Sequence, residues 1–177
     1  PPVGEWAHLA VVKNGTTVTH YLNGVPNGTG TTTITPDDID GSLLIGSRAD
    51  LFTKMKGDMD ELRIWNVART TAQINDNFST ELDSTQSGLV AYYSVNGGIP
   101  RGNNVTLMSI TDKTSNPDAG DLINFESGTV AFDGRDDKID VPYHPDINFA
   151  SNQDFTIELW AKTPTGAHPN TQENDVS

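Results

Sequence analysis

The feature that most constrains the fold of this chain is a period of two. From Phe155 to Lys162, side chains at 155, 157, 159 and 161 are apolar and interleave with Thr156, Glu158, Trp160 and Lys162, which is the pattern of a strand with one face turned to a core. Comparable short runs recur at Trp6 to Val12, Thr16 to Leu22, Leu43 to Ser47, Met59 to Asn66, Leu89 to Ser94, Gly128 to Phe132 and Lys138 to Val141, with Gly, Pro, Asn or Asp between them. Many short strands cut apart by turn residues predict an all-β sandwich. Asn14-Gly15 predicts a tight hairpin turn between the first two runs, because Asn and Gly accept positive φ at little cost. One short connector helix interrupts the pattern. Thr70 and Gln73 stand at capping-box spacing, and Ile74 and Phe78, four apart, share a face.

Polar, turn-like residues at 83–87 mark a linker between a portion spanning 1–82 and a portion spanning 88–177, and a loop-rich stretch runs from Val95 to Glu126 through Asn103, Asn104, Asn116 and Pro117. Long loops in compact domains tend to carry function. Composition narrows the partners. The 177 residues include no cysteine, which excludes a disulfide framework, thiolate metal sites and cysteine nucleophiles. With 24 acidic against 11 basic side chains, the net charge of −13 repels nucleic acid and anionic membrane surfaces and suits cations or plain extracellular solubility. No apolar run approaches the roughly 18 residues of a membrane helix, so no membrane insertion is expected. The chain opens at Pro1 rather than Met and is expected to be an excerpt or processed segment of a longer extracellular or cell-surface protein.

The run Gly57-Asp58-Met59-Asp60-Glu61-Leu62-Arg63-Ile64-Trp65-Asn66, followed by Ala68-Arg69 and the capped helix, closely resembles the closing strand and helix of laminin-G-like or pentraxin-like domains of the concanavalin type. Trp6 to Val12, Tyr21-Leu22-Asn23-Gly24 and Leu44-Ile45-Gly46-Ser47-Arg48 resemble the strands before it. Phe132-Asp133-Gly134-Arg135-Asp136-Asp137-Lys138-Ile139, Asp154 to Trp160 and Leu89-Val90-Ala91-Tyr92-Tyr93 resemble the early strands of that family. The resemblance implies a concanavalin-like jelly-roll sandwich with its order permuted: 1–82 is similar to a back half and 88–177 to a front half. A half-sandwich exposes an apolar face and unpaired edges. Each portion therefore needs a complement, either the other portion of its own chain or that of a neighbouring copy or adjacent repeat, the latter a head-to-tail arrangement able to grow into a filament.

Calcium is the cofactor that hard oxygen ligands in turn positions would favour. Asp133 and Asp136 flank a Gly134 turn beside Asp137, the resemblance brings Asp60 near the opening strands, and Asp112 with Asn116 is similar to an Asp-x-Ser-Gly-Asn turn of the family, although Thr114-Ser115 stands for Ser-Gly. The metal candidates are therefore Asp60, Asp112, Asp133 and Asp136; the competing reading is that these carboxylates cap turn amides. The calcium loop of pentraxin-like domains is not carried over to Asp50, because Arg48 stands where an acid is wanted. Alternation aims Asp58 and Asp60 at one face and Glu61 at the other, which is no two-carboxylate glycosidase pair, and nucleophile elbows and phosphate loops are absent. No enzyme is expected.

His8, His20, His144 and His168 are dispersed, with His8 and His20 expected on opposite faces as surface or edge residues. Trp6, Trp65 and Trp160 are candidates for stacking on sugars, against a core role, and Asn14, Asn27, Asn77 and Asn104 open Asn-x-Ser/Thr sequons. The expected function is a non-catalytic structural or adhesion module, calcium-stabilised, assembling with copies of itself or adjacent repeats. The alternative is a glycan-binding lectin-like domain or an accessory module of a polysaccharide-degrading enzyme.

Overall fold

The computed structural model describes residues 2–33, 41–47, 54–96, 109–114, 119–123, 131–150 and 152–165, with the side chains of Ile123 and Asp133 outside that description. Within these residues the strands are β1 (Trp6–Asn14), β2 (Thr17–Leu22), β3 (Val25–Thr31), β4 (Leu43–Ile45), β5 (Lys56–Trp65), β6 (Leu89–Tyr93), β7 (Ser109–Ile110), β8 (Gly120–Ile123), β9 (Ala131–Asp133), β10 (Lys138–Val141) and β11 (Phe155–Lys162), with helix α1 (Thr71–Asn77) between β5 and β6. They form a seven-stranded sheet ordered β3-β2-β1-β11-β5-β6, with β9 also on β5, and a four-stranded sheet ordered β4-β10-β8-β7. Every strand pairing among the described residues is antiparallel. Among the described residues the fold is all-β, two antiparallel sheets with one short α-helix.

The core lies where the two sheets face each other. Met59, Leu62, Ile64, Val90, Tyr93 and Phe132 of the larger sheet meet Ile45, Ile110, Ile139 and Val141 of the smaller one, each large side chain contributing about 1.5–3 kcal/mol by leaving water. Both sheets mix the two portions of the chain. β11 hydrogen-bonds β1 from Trp6↔Lys162 to Lys13↔Phe155 on one side, and β5 from Thr156↔Trp65 to Lys162↔Asp58 on the other. In the smaller sheet β10 pairs with β4. The strand between β1 and β5, which a portion spanning 1–82 lacks, is thus supplied by the same chain.

Three local features depart from the alternation. The first hairpin pairs Asn14 with Thr17, so Gly15 and Thr16 form the loop, with Gly15 at φ 58. This moves the register by two residues relative to an Asn14-Gly15 turn, and a shift of two leaves every side chain on its own face. Next, β3 follows β2 through Asn23-Gly24, at φ 49 and 78, the pair of positive φ values that a type I′ turn demands. Finally, Glu61 takes φ 52 where the β5–β11 register slips between Glu158 and Trp160. The bulge overrides simple alternation and returns the Glu61 carboxylate to the outer face, where it meets Arg63 and Tyr92.

Candidate functional site

The connector between β5 and β6 packs on the outer face of the larger sheet, and ionisable side chains beneath it form a polar cluster. α1 begins at Thr70, whose side chain accepts from the Gln73 amide while the Gln73 side chain accepts from the Thr70 amide; this reciprocal cap satisfies two of the donors that a helix start leaves open. The helix buries Ile74 against Ala10, Val12 and Tyr21, and Phe78, one turn on, sits with ring centroids 5.7 Å from His8 and 6.1 Å from Trp160. Sheet side chains then bind the connector's carbonyls. Arg63 donates to Asn77 O and Thr80 O, Arg69 to Gln73 O, Trp160 Nε1 to Phe78 O, and the Thr156 hydroxyl to Val67 O. Cations at the end of α1 also oppose the negative end of its dipole.

Glu158 is the centre of this cluster and is fully buried. Its Oε1 accepts from Trp65 Nε1 at 2.9 Å and from Arg69 at 3.4 Å, with Arg63 at 3.8 Å, while Oε2 faces His8 Nε2 at 3.5 Å. Burial by itself pushes the Glu158 carboxyl up, but His8, Arg69 and Arg63 outweigh it and hold it below the usual carboxylate range. Arg69 lies flat over the Trp65 ring at 3.8 Å, and burial lowers its own pKa despite Glu158. Around the bulge, Glu61 accepts from Arg63 at 2.7 Å and from the Tyr92 hydroxyl at 2.6 Å; burial and this acceptor push Tyr92 up to about 12. The arrangement offers two carboxylates to two guanidiniums in a dry layer. It binds strands to connector.

The metal candidates fall in different surroundings. Asp60, on β5 opposite Trp160, accepts the Glu61 amide at 2.8 Å, and burial raises its pKa. Asp112 is buried and its Oδ1 accepts from the amides of Tyr92 and Thr114. Asp136 is exposed in the β9–β10 turn, and Asp133 ends β9 with its side chain outside the description. Among the described residues no three His, Asp or Glu side chains gather as a cation site requires. Asp60 and Asp112 do what the turn-capping reading asks of a carboxylate. Arg48, Asp50, Asn103, Asn104, Asn116, Pro117 and His168 lie outside the described residues.

Other expectations change with burial. His8 is 1% exposed on the interior strand β1, not a surface or edge histidine, whereas His20 is exposed. Trp65 is buried beneath Arg69, and Trp160 is committed to Phe78 O, leaving Trp6, at 44%, as the exposed indole. The Glu158 cluster was missed from sequence because Thr156 and Glu158 sit on the polar side of the alternation. The available signal was Arg63 with Arg69, two cations on an otherwise apolar run ahead of a capped helix. A small cleft of about 150 Å³ opens elsewhere, between Leu43, Tyr143, His144, Ile147 and Asn148. No helix of the described residues is long and apolar enough to cross a membrane.

A family model, Laminin_G_3 of the concanavalin A-like lectin/glucanases superfamily, matches residues 1–75. Neither a curated protein nor a solved structure matches the chain.

Proposed function

We propose that this chain, laminin-G-like over its first 75 residues, is a non-catalytic structural or adhesion module of an extracellular protein, a sandwich that closes on itself and is used as a building unit in arrays. The observation that carries the reading is the use made of the buried charge. Glu61 and Glu158 accept from Arg63 and Arg69, and both arginines donate to connector carbonyls. Their chemistry is spent on holding the connector to the sheet, and a glycosidase needs its two acids exposed to substrate and about 5–9.5 Å apart. The excess of acidic side chains supports solubility outside the cell.

The decisive experiment incubates the folded chain with a panel of β-glucans and galactans and measures reducing ends. No release above that of the heat-denatured chain is expected; release abolished by a single carboxylate substitution overturns the reading.

A lectin-like role is the second reading, and the cleft favours it. Tyr143 is 42% exposed beside His144 and Asn148, giving an aromatic face next to polar groups in a space the size of one sugar ring. On a glycan array, this reading expects binding that Tyr143→Ala removes; a blank array removes the reading.

A further inference from the structure

Among the described residues the larger sheet ends in β3. All seven residues of Val25–Thr31 are exposed, and β2 is their strand partner. From Asn14 to Pro36 there is not one Asp, Glu, Lys or Arg, in a chain carrying a net charge of −13. Soluble proteins usually guard such an edge with charge, proline or a bulge. Here the guard covers one half. Pro26 lacks an amide, and the register slips around Asn27, between Tyr21↔Pro26 and His20↔Gly28.

Beyond the slip the ladder is regular through Gly28, Thr29, Gly30 and Thr31. Because the Thr32 amide donates to Thr16 O and Thr31 stands opposite Thr17, antiparallel alternation turns the main-chain groups of Gly28 and Gly30 toward β2 and those of Thr29 and Thr31 toward solvent. That outward set is self-complementary. A second copy laid antiparallel places Thr29 opposite Thr31 of its twin and Gly30 opposite Gly30, so that each Thr pair exchanges two main-chain bonds about a two-fold axis. A Cβ built on Gly30 meets nothing within 4 Å, so the centre of the pairing is open to approach.

We infer that β3 is a docking edge for a second copy of this chain, joining two seven-stranded sheets antiparallel through Thr29 to Thr31. Charge argues for a copy at this place. Two molecules of the same strong negative charge repel over most of their surfaces, and the uncharged hairpin is where they meet without like charges at short range. The inference names the partner of the building unit proposed above and rests on the sandwich being closed, which the melting transition reads separately.

The test is sedimentation of the intact chain over a concentration series, with thermal melting alongside. Reversible dimerisation is expected with a Kd of about 0.1 mM, strengthening as NaCl rises from about 50 to 500 mM because screening relieves the repulsion. Gly30→Lys is expected to sediment as a monomer throughout with an unchanged melt. Gly30→Cys, in a chain without other cysteines, is expected to oxidise to a disulfide dimer faster than Thr17→Cys, one strand inward. A wild-type chain that stays monomeric at about 1 mM, a dimer that survives Gly30→Lys, or one that salt dissociates would overturn the inference. Loss of the cooperative melt in the unsubstituted chain would instead strike at the closed sandwich.

Discussion

Glu158 has its charge surrounded by partners that cannot turn to water. Removing one member of a buried ion cluster leaves the others uncompensated, at about 3–5 kcal/mol. Glu158→Gln is therefore expected to lower urea stability by that order while Trp65 keeps an acceptor, and a loss below about 1 kcal/mol would mean the guanidiniums are hydrated. The pH dependence has a definite sign. Because the folded Glu158 pKa is depressed, its stabilisation is complete above the unfolded value of about 4.3 and is lost as pH falls through the lower folded value. Asp60 behaves in the opposite sense. Burial raises its pKa, so its charge costs stability at neutral pH and the cost disappears once pH falls below the unfolded value. Asp60→Asn, which keeps an oxygen for the Glu61 amide, is expected to raise the urea midpoint at pH 7 and to leave it unchanged near pH 3, where both forms are neutral. On the calcium-stabilised reading EDTA is expected to lower the melting temperature by more than about 2 °C; an unchanged melt would remove calcium.

At the scale of elements, the connector and the second hairpin carry the sharpest expectations. Thr70→Ala removes the hydroxyl that accepts from the Gln73 amide, while the amide of residue 70 keeps the Gln73 side chain as acceptor, and is expected to cost about 1 kcal/mol, read in urea. Gly24→Ala faces a positive φ of 78 and a Cβ only 2.8 Å from Phe78, so it is expected to destabilise by more than about 1 kcal/mol and to loosen the connector as well as the turn. The same elements show what a sequence makes legible. β1, β2, β5, β6, β10 and β11 announced themselves by alternation or by apolar runs, and α1 by its cap. β3 did not, because Val-Pro-Asn-Gly-Thr-Gly-Thr has neither alternation nor a buried face; the Asn23-Gly24 pair was its only sign. The burial of Thr156 and Glu158 was hidden for a different reason. Period two separates two faces of a strand, but it cannot say that a connector from elsewhere covers the polar one. Asp60, Asp112, Asp133 and Asp136 were singled out as oxygen donors by turn position and by resemblance, whereas the carboxylates that organise the structure, Glu61 and Glu158, depend on a bulge and on cross-strand register.

At the scale of the whole molecule, the chain has its strands in an order that neither portion can complete. Residues 1–82 provide β1 and β5 with a gap between them, and β11 from the other portion fills the gap, bringing Glu158 opposite Arg63 and within reach of Arg69. Hydrophobic burial and the ionic layer therefore form in the same step, and both depend on contacts far apart in sequence. The most direct test expresses 1–82 and 88–177 as separate chains and follows far-UV circular dichroism and melting of each and of their equimolar mixture. Neither fragment alone is expected to melt cooperatively, while the mixture is expected to form a one-to-one complex with a single sharp transition; a cooperative melt from either fragment alone would contradict this account.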